Sequence, residues 1–385
     1  MWRNIASNAL TFLVVIAFLL GGVILWGQNT YHAEGPLAEQ ICLRVERGSN
    51  MRKVSAQLEA EGAVSSAMLF RLGADYADRA GQLKAGSWLV PEGSSMSEIT
   101  DIITRGGAST CGVEVVYRIG VTRSEVQVRE LDPATNRYVE KVAFNPVEDA
   151  APDEFTEMRA KSDTRYRVAV AEGVTSWQIV EALKRVDVLE GEIGELPAEG
   201  SLAPDSYDVA PGDKRADLIA KMQEAQQIIV AAAWAARDEN VPLESAEEML
   251  ILASIIEKET GLPDERGQVA SVFVNRLNQG MRLQTDPTVI YGITEGKGVL
   301  GRGLRQSELR SATPWNTYVI DGLPPTPIAN PGRASIEAAV NPADTDFVFF
   351  VADGSGGHAF AETLEQHNVN VAKWRQIEAE RPQSE

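Results

Sequence analysis

The stretch LILASIIEKET, residues 250–260, places two glutamates and a lysine directly after an apolar run. If the stretch is helical, Glu257 lies on the same stripe as Leu250 and Ala253, so its surroundings are apolar. Burial disfavours the charged form of a carboxyl group, and the negative end of a helix dipole does the same. A carboxyl group that stays protonated near neutral pH is what a general acid needs. Glu257 is therefore the first candidate for acid catalysis.

Two other interpretations of these residues stay open at this point. Glu257 can instead pair with Arg276 or Arg282 in a salt bridge that only holds elements together. Lys258 and Glu259 can form the frayed, solvated end of a helix. Glu259 is also a candidate to help hold Glu257 in position without contacting the substrate, or to accept an N–H in the turn that follows.

A buried helix must position these side chains, and its beginning is marked in the sequence. Ser245 and Glu248 match the capping-box pattern S-x-x-E, which predicts a helix from about residue 246 to residue 259. The apolar residues of this segment cover nearly the whole circumference of a helical wheel. A helix that is apolar all round is buried.

Upstream of this helix, a pattern of a strand, a glycine turn and a helix recurs along the chain. The copies contain Gly48, Gly93, Gly173 and, more weakly, Gly212. Glycine tolerates the positive φ of a tight turn, and the Ser, Thr or Asn that follows suits a helix N-cap. These strand–turn–helix units resemble the LysM-like module of cell-wall proteins. The alternative is a set of packing units that bind no ligand.

Between the second and third copies the sequence changes to a strand pattern. Residues 125–144 alternate apolar and polar side chains on both sides of DPATN, which predicts a hairpin. The acidic stretch 145–157 contains prolines and is expected to be a surface loop. Cys42 and Cys111 are the only cysteines. In an exported protein such a pair suggests a disulfide, and two separate buried thiols are the alternative.

The N-terminal residues predict a membrane anchor. Residues 9–26 carry no charge and are just long enough to span the hydrocarbon core as a helix. Arg3 precedes them, and Trp26 stands where an interfacial aromatic residue is typical. A cleaved signal peptide is the alternative. The net charge of −19 argues against nucleic acid as a partner, because phosphate binding needs a basic surface.

Six motifs in the C-terminal part resemble the endolytic murein transglycosylase family, whose members are also called YceG-like. They are ASIIEKET, VASVFVNRL, MRLQTDPTVIYG, NTY, GLPPTPIANPG and FVADGSGGHAF. The resemblance covers about residues 250–368 and extends more loosely to EGSLAPDSY, residues 199–207. It implies an anchor in the bacterial inner membrane, a catalytic domain in the periplasm, and peptidoglycan glycan strands as substrate. It also implies association with peptidoglycan synthases and termination of glycan elongation.

The resemblance assigns the catalytic role to the first glutamate of E-K-E-T, which is Glu257. A glycoside hydrolase normally needs two carboxyl groups, whereas a lytic transglycosylase uses one and consumes no water. That carboxyl group protonates the glycosidic oxygen between N-acetylmuramic acid and N-acetylglucosamine. It then takes the proton of the muramic acid C6 hydroxyl as this oxygen attacks C1, which leaves a 1,6-anhydro end.

Further polar and aromatic residues are candidates to hold the sugars. Residues before Pro287 stand in a polar turn, and others stand in a loop flanked by prolines, where they can hydrogen-bond or stack on a ring. These candidates are Gln284, Thr285, Asp286, Tyr291, Asn316 and Tyr318. Asp286 is also a candidate for the anion that stabilises positive charge at C1. The alternative is structural, with turn caps at Asp286 and Asn316 and core aromatics at the tyrosines.

Together these patterns predict an α+β protein with a transmembrane helix and no metal or other cofactor. The expected divisions are a cytoplasmic tail 1–8, a transmembrane helix 9–28, a LysM-like subdomain 40–110, a β-rich insertion 111–165, further strand–turn–helix units 166–215 and a catalytic domain 216–375. A non-catalytic, peptidoglycan-binding scaffold is the rival function. A muramidase-type hydrolase is a third, and it would need a second carboxylate such as Asp286.

Overall fold

The computed structural model describes residues 2–161 and 163–380, apart from the side chains of residues 2–9. Its contacts divide the chain into two compact units. The first unit reaches to residue 116 and includes residues 127–144 and 150–166, and the second holds residues 117–126, residues 145–149 and the chain from Arg167 onward. Residues 167–215 group with the C-terminal residues in these contacts.

The chain is an α+β protein. Its helices are α1 (Trp2–His32), α2 (Met51–Ala60), α3 (Ala67–Tyr76), α4 (Met96–Arg105), α5 (Asp153–Arg159), α6 (Ser176–Leu183), α7 (Arg215–Ala235), α8 (Ala246–Glu259), α9 (Pro263–Asn278), α10 (Asp286–Thr294), α11 (Arg333–Val340) and α12 (Leu364–Glu380). Its strands are β1 (Ile41–Val45), β2 (Gly86–Val90), β3 (Val113–Ile119), β4 (Ser124–Asp132), β5 (Arg137–Phe144), β6 (Arg165–Val170), β7 (Ser206–Val209), β8 (Phe349–Ala352) and β9 (His358–Ala361).

Helix α1 contains the predicted apolar segment. Residues Leu10–His32 are long and apolar enough to cross a membrane, with a mean hydropathy of 2.5 over the best window. The helix extends past the predicted 9–28 at both ends. Its apolar side chains, such as Phe18 and Leu19, are exposed. A signal sequence meets the same criteria of length and composition, so this helix supports a single-pass anchor only coarsely.

The first unit is built around a two-stranded sheet. Strands β1 and β2 pair antiparallel, with Ile41 opposite Val90 and Val45 opposite Gly86. Helices α2 and α3 lie between these strands in the sequence, which gives the order strand, helix, helix, strand. A disulfide joins Cys42 to Cys111, and their Cα atoms are 5.9 Å apart. Of the two alternatives for the cysteines, the structure therefore shows the bridge.

Both the predicted hairpin and an unpredicted helix lie in the β-rich segment. A five-stranded sheet has the order β5-β4-β3-β6-β7, and β4 and β5 form the hairpin around DPATN. Asn136 has a φ of 51° at its turn, and the Asp132 carboxylate accepts the Ala134 N–H and the Thr135 hydroxyl. The stretch 145–157 is not a loop throughout, because α5 begins at Asp153 within it.

The recurring turns have the backbone conformation that their glycines predict. Their φ values are 78° at Gly48, 66° at Gly93, 78° at Gly173 and 93° at Gly212. Three of the helices that follow have the expected N-caps, whose side chains each accept a backbone N–H three residues on: Asn50, Ser95 and Thr175. The fourth helix, α7, starts after Lys214 without a side-chain cap, which fits the weaker fourth copy.

Helix α8 lies at the centre of the core of the second unit. It spans Ala246–Glu259 as predicted, and seven of its residues from Met249 to Ile256 are buried. It packs against α9 and α11 through Leu252, Phe273 and Ile336, all without exposed surface. The capping box is only half formed, because the Glu248 carboxylate accepts the N–H of Glu244 and not that of Ser245.

Candidate active site

Glu257 lies at the C-terminal end of α8, where the buried part of the helix stops. Its side chain is half-buried, and Oε2 accepts the backbone N–H of Gly332 at 3.0 Å. Gly332 is the N-cap of α11, so the positive end of that helix faces the carboxyl group. Oε1 makes no hydrogen bond to any residue in the described part of the chain. The Gly332 N–H thus anchors one oxygen and leaves the other for a proton or a ligand.

The loop GLPPTPIANPG, residues 322–332, presents this N–H and is held from several sides. The Ser254 hydroxyl is buried in α8 and accepts the Ile328 N–H at 3.0 Å. The Asn330 amide donates to the Val174 carbonyl at 3.0 Å and accepts the Leu202 N–H at 2.9 Å. Because Asn330 and Ser254 have no exposed surface, these bonds fix the path of the loop up to Gly332.

The third glycine turn packs against the same end of α8. Gly173 donates its N–H to the Asn330 carbonyl at 2.9 Å, and the Lys258 ammonium donates to the Gly173 carbonyl at 3.2 Å. A Cβ atom at Gly173 would lie 3.6 Å from Cγ of Glu257, so the turn runs directly beside the carboxyl group. Burial lowers the pKa of Lys258, whereas Glu257 and Glu199 raise it.

Glu199 forms a second carboxyl site next to this turn. It accepts the Ser176 N–H at 2.8 Å, the Asn330 amide at 3.3 Å and the Tyr291 hydroxyl at 3.2 Å. Burial raises the pKa of Glu199, although the hydrogen bonds from Ser176 and Tyr291 oppose the shift. Tyr291 packs edge-to-face on Trp315, and burial raises its pKa far above the usual range. The hydroxyl of Tyr291 therefore already donates its proton to a hydrogen bond with Glu199.

Glu259 points to another group of residues, away from Glu257. It accepts the hydroxyl of Thr285, and burial raises its pKa, with a further increase from Asp286. The Asp286 carboxylate in turn accepts the Tyr318 hydroxyl at 2.7 Å. The polar turn thus contacts Glu259 directly. Glu259 is half-buried and its carboxyl group is bonded to Thr285, so it is not a frayed helix end.

Two of the predicted glycan contacts have buried side chains. Asn316 has no exposed surface, and its amide donates to the carbonyls of Glu308, Leu309 and Ser311. Its oxygen accepts the Tyr318 N–H. Thr285 is 2% exposed. In this structure the side chain of Asn316 holds its loop and does not face solvent, because every polar atom it has is bonded within the protein.

Gln284 and Asp286 are exposed, unlike the buried candidates Thr285 and Asn316. Gln284 has a φ of 49°, a left-handed conformation that few side chains adopt. Its N–H donates to the Thr317 carbonyl at 3.2 Å, which fixes the turn. The side chain of Gln284 is therefore presented outward next to Asp286.

The arginines that could have paired with Glu257 have other partners. Arg276 is buried and donates to the Val348 carbonyl at 2.7 Å and to the Leu283 carbonyl. Arg282 pairs with Asp321 at 2.8 Å. The salt-bridge interpretation of Glu257 is therefore not what the structure shows. His358, which also lies in this unit, is bonded to Glu265 at 2.9 Å.

Sequence reasoning missed Glu172, Glu199 and Gly332, which all lie close to Glu257 or to its supporting residues. Glu172 stands just before Gly173, and a methyl group added at Gly332 would overlap its Oε1 atom. Glu199 begins the EGSLAPDSY motif, so the resemblance alone could have singled it out. Glu172 carried no such signal, because its turn looked like the turns of the other copies.

Comparison with known proteins places this arrangement in a family. The model of the YceG-like family matches residues 145–373. The "Endolytic murein transglycosylase" of Bacillus subtilis (strain 168) is 27% identical over 358 residues, which are 92% of this chain and 91% of that protein. A protein of the same name from Streptococcus pneumoniae serotype 2 (strain D39) is 26% identical over 96% of this chain and 65% of its own length.

A crystal structure of a putative YceG-like protein from Listeria monocytogenes is also similar. It is 25% identical, the alignment covers 86% of this chain and 99% of that one, and the TM-score is 0.46. The family match, which covers more than half of the chain, decides the assignment: this chain belongs to the YceG-like family.

Proposed function

We propose that this protein is an endolytic lytic transglycosylase of the cell envelope. It cleaves the bond between N-acetylmuramic acid and N-acetylglucosamine within nascent peptidoglycan strands and leaves 1,6-anhydro ends, which terminates glycan elongation. The two bacterial relatives named as endolytic murein transglycosylases, similar over more than nine tenths of this chain, support the proposal. Glu257 is the proposed catalytic residue.

The observation that carries the proposal is the hydrogen bond from Gly332 to Glu257. With Oε2 occupied by a backbone N–H, the proton of the neutral acid belongs on Oε1, the unbonded oxygen. Oε1 can donate this proton to the glycosidic oxygen as the bond to C1 breaks. The resulting carboxylate keeps its hydrogen bond to Gly332 and the positive end of α11.

The second half of the reaction uses the same oxygen in the opposite sense. Oε1, now unprotonated, accepts the proton of the muramic acid C6 hydroxyl while that oxygen attacks C1. A C6–O bond to C1 closes the anhydro ring, and Glu257 is a neutral acid again. Proton and charge therefore balance with one carboxyl group and without water.

The proposed sugar contacts are Gln284, Asp286 and Tyr318. Gln284 and Asp286 are exposed in the polar turn, and the half-buried Tyr318 donates its hydroxyl to Asp286. Thr285 and Asn316 act indirectly in this proposal, because their side chains are buried and hydrogen-bonded. Tyr291 supports the site through its hydrogen bond to Glu199. Glu259 holds the polar turn through Thr285.

The remaining proposals concern the compartment and the first unit. Helix α1 anchors the chain in the inner membrane, with residues 1–8 in the cytoplasm and the chain that follows the helix in the periplasm. The Cys42–Cys111 bridge supports this side of the membrane, because disulfides persist in oxidising compartments. Residues 40–110 form a LysM-like glycan-binding subdomain, which the order β1-α2-α3-β2 supports. Peptidoglycan synthases are the proposed partners.

Mass analysis of digested peptidoglycan tests the function. The full chain in detergent and its Glu257→Gln variant are each incubated with purified peptidoglycan, and Glu224→Gln on the exposed face of α7 serves as the control. We expect anhydro ends from the parent and the control, and a loss of at least about a hundredfold in the variant. Full activity of Glu257→Gln would exclude Glu257 as the acid. If the parent forms no products, the proposed enzymatic function is excluded.

A further inference from the structure

Helix α1 runs as one continuous helix from its apolar segment into the core of the first unit. The side chains of residues 23–26 are each 60–65% exposed. Tyr31, in contrast, is 6% exposed, and its hydroxyl donates to the buried hydroxyl of Thr100 on α4 at 2.8 Å. The folded part of the unit therefore begins along α1 between residue 26 and residue 31.

Helix α3 packs on α1 in this boundary region. The Leu69 side chain lies 3.6 Å from where a Cβ atom of Gly27 would be, and the Tyr31 ring lies so close to Gly73 that a Cβ atom there would overlap it. A helix rises 1.5 Å per residue, so both contacts lie within about 8 Å of Trp26 along α1. Helix α3 is thus fixed beside the end of the apolar segment.

The outer side of α3 is apolar. Met68, Leu72 and Tyr76 stand four residues apart, so they share one face of the helix, and they are 64%, 55% and 83% exposed. Phe70 and Ala74 point the opposite way and are buried in the core of the unit. We call Met68, Leu72 and Tyr76 the α3 stripe. It faces away from the core and lies next to the face that contacts α1.

Two other helices of the unit have charged outer sides. Helices α2 and α4 have ten residues each, as α3 does. Their exposed residues include Arg52, Lys53 and Glu59 on α2, and Glu98, Asp101 and Arg105 on α4. An apolar outer side therefore distinguishes α3, the helix that contacts α1 at Gly27, from its neighbours. Contiguous apolar surface of this kind marks contact with a protein or a membrane.

We propose that the α3 stripe lies in the headgroup layer of the membrane that α1 spans. The headgroup layer on each side of a bilayer is about 5 to 8 Å thick, which matches the distance from Trp26 over which α3 contacts α1. Because the core of the unit lies on the other side of α3, the stripe is left to face lipid. The ring and hydroxyl of Tyr76 suit a boundary between apolar and wet surroundings.

This second contact would fix how the first unit is tilted on the membrane, because α1 alone leaves the unit free to turn about the helix axis. The inference rests on the proposed membrane anchor. It adds a lipid-binding surface outside α1, on a helix of the folded unit.

Spin labels at single introduced cysteines test the contact. The full chain, with its Cys42–Cys111 bridge intact, is reconstituted into phosphatidylcholine vesicles, and one nitroxide is attached at Leu72→Cys. Collisions of the label with oxygen, which concentrates in lipid, are compared with collisions with a water-soluble nickel chelate. Leu19→Cys, exposed in the apolar segment of α1, is the lipid control, and Arg52→Cys on the charged side of α2 is the water control.

We expect the ratio of oxygen to nickel collisions at residue 72 to be severalfold higher than at residue 52 and lower than at residue 19. Met68→Cys and Tyr76→Cys repeat the measurement on the same stripe. The claim therefore does not depend on the folding of one variant.

Three outcomes would overturn the lipid contact. Ratios at all three positions equal to that at residue 52 would show that the stripe faces water, while a high ratio at residue 19 keeps the anchor. Few collisions with either reagent would show that a protein covers the stripe, such as a second copy of this chain. A ratio at residue 19 as low as that at residue 52 would contradict the anchor itself, and the inference with it.

Discussion

At the scale of single residues, two glutamates two positions apart on one helix have different surroundings. Glu257 is half-buried, bonded to one N–H and open at the other oxygen. Glu259 is also half-buried, but it is bonded to Thr285, and burial raises its pKa. The 100° step of an α-helix separates the two side chains widely, which assigns acid chemistry to the first and support of the polar turn to the second.

The raised pKa of Glu259 predicts how its replacement changes stability with pH. A carboxyl group with a raised folded-state pKa stabilises the fold below its ordinary value of 4.5 and loses this contribution as pH rises through the folded value. Glu259→Gln removes the ionisation, so we expect its melting temperature relative to the parent to increase from pH 4.5 to pH 8. Thermal unfolding followed by circular dichroism measures this difference. A difference that is constant or falls with pH would contradict the assignment.

At the scale of elements, the local sequence determines where α8 begins and ends. Contacts with distant segments instead hold the loop 322–332 in place. The bounds of α8 were predicted because the cap at Ser245 and the apolar run are both local signals. Glu172 and Gly332 could not be predicted, because Gly332 meets Glu257 across 75 residues of chain. Nothing in the local pattern of either residue distinguishes it from the same residue in an ordinary turn.

Asn330 links the loop to two other segments, and its loss should be costly. Asn330→Ala leaves the buried Leu202 N–H without its partner, whereas the Val174 carbonyl keeps the backbone N–H of residue 330. We expect a loss of about 1 to 3 kcal/mol in the free energy of unfolding, since an unpaired buried group costs about that much. Activity should fall as well, because Gly332 is then less well positioned. Denaturant unfolding measures the stability.

Asn278→Ala is the matched control for this prediction. Asn278 is exposed at the end of α9, and exposed substitutions usually change stability by less than about 0.5 kcal/mol. Equal losses in the two variants would show that the loop does not depend on Asn330.

At the scale of the whole molecule, the chain consists of two compact units with separate cores. The glycine turns and the hairpin were predicted, because turn residues and alternation are local. The grouping of residues 117–126 with the chain from Arg167 onward was not predicted, because contacts between distant segments decide it. Two copies of the turn, at Gly173 and Gly212, lie in the second unit. The copy at Gly173 is beside Glu257, although its sequence resembles the copies in the first unit.

The disulfide should stabilise the first unit. It links residues 69 positions apart, and a closed loop of that length is worth about 4 kcal/mol in the chain-entropy estimate. We expect the double variant Cys42→Ser, Cys111→Ser to increase hydrogen exchange at the amides of β1 and β2. The amides of α8, in the second unit, are the internal control. Unchanged exchange in β1 and β2 would contradict this prediction.

The central claim is that the glycan bond is cleaved without water, by one carboxyl group acting as acid and then as base. Digestion of peptidoglycan by the full chain in water enriched in heavy oxygen tests it most directly. We predict new ends that are one water lighter than reducing ends and carry no heavy oxygen. New reducing ends that carry heavy oxygen would contradict the claim and show that the protein is a hydrolase.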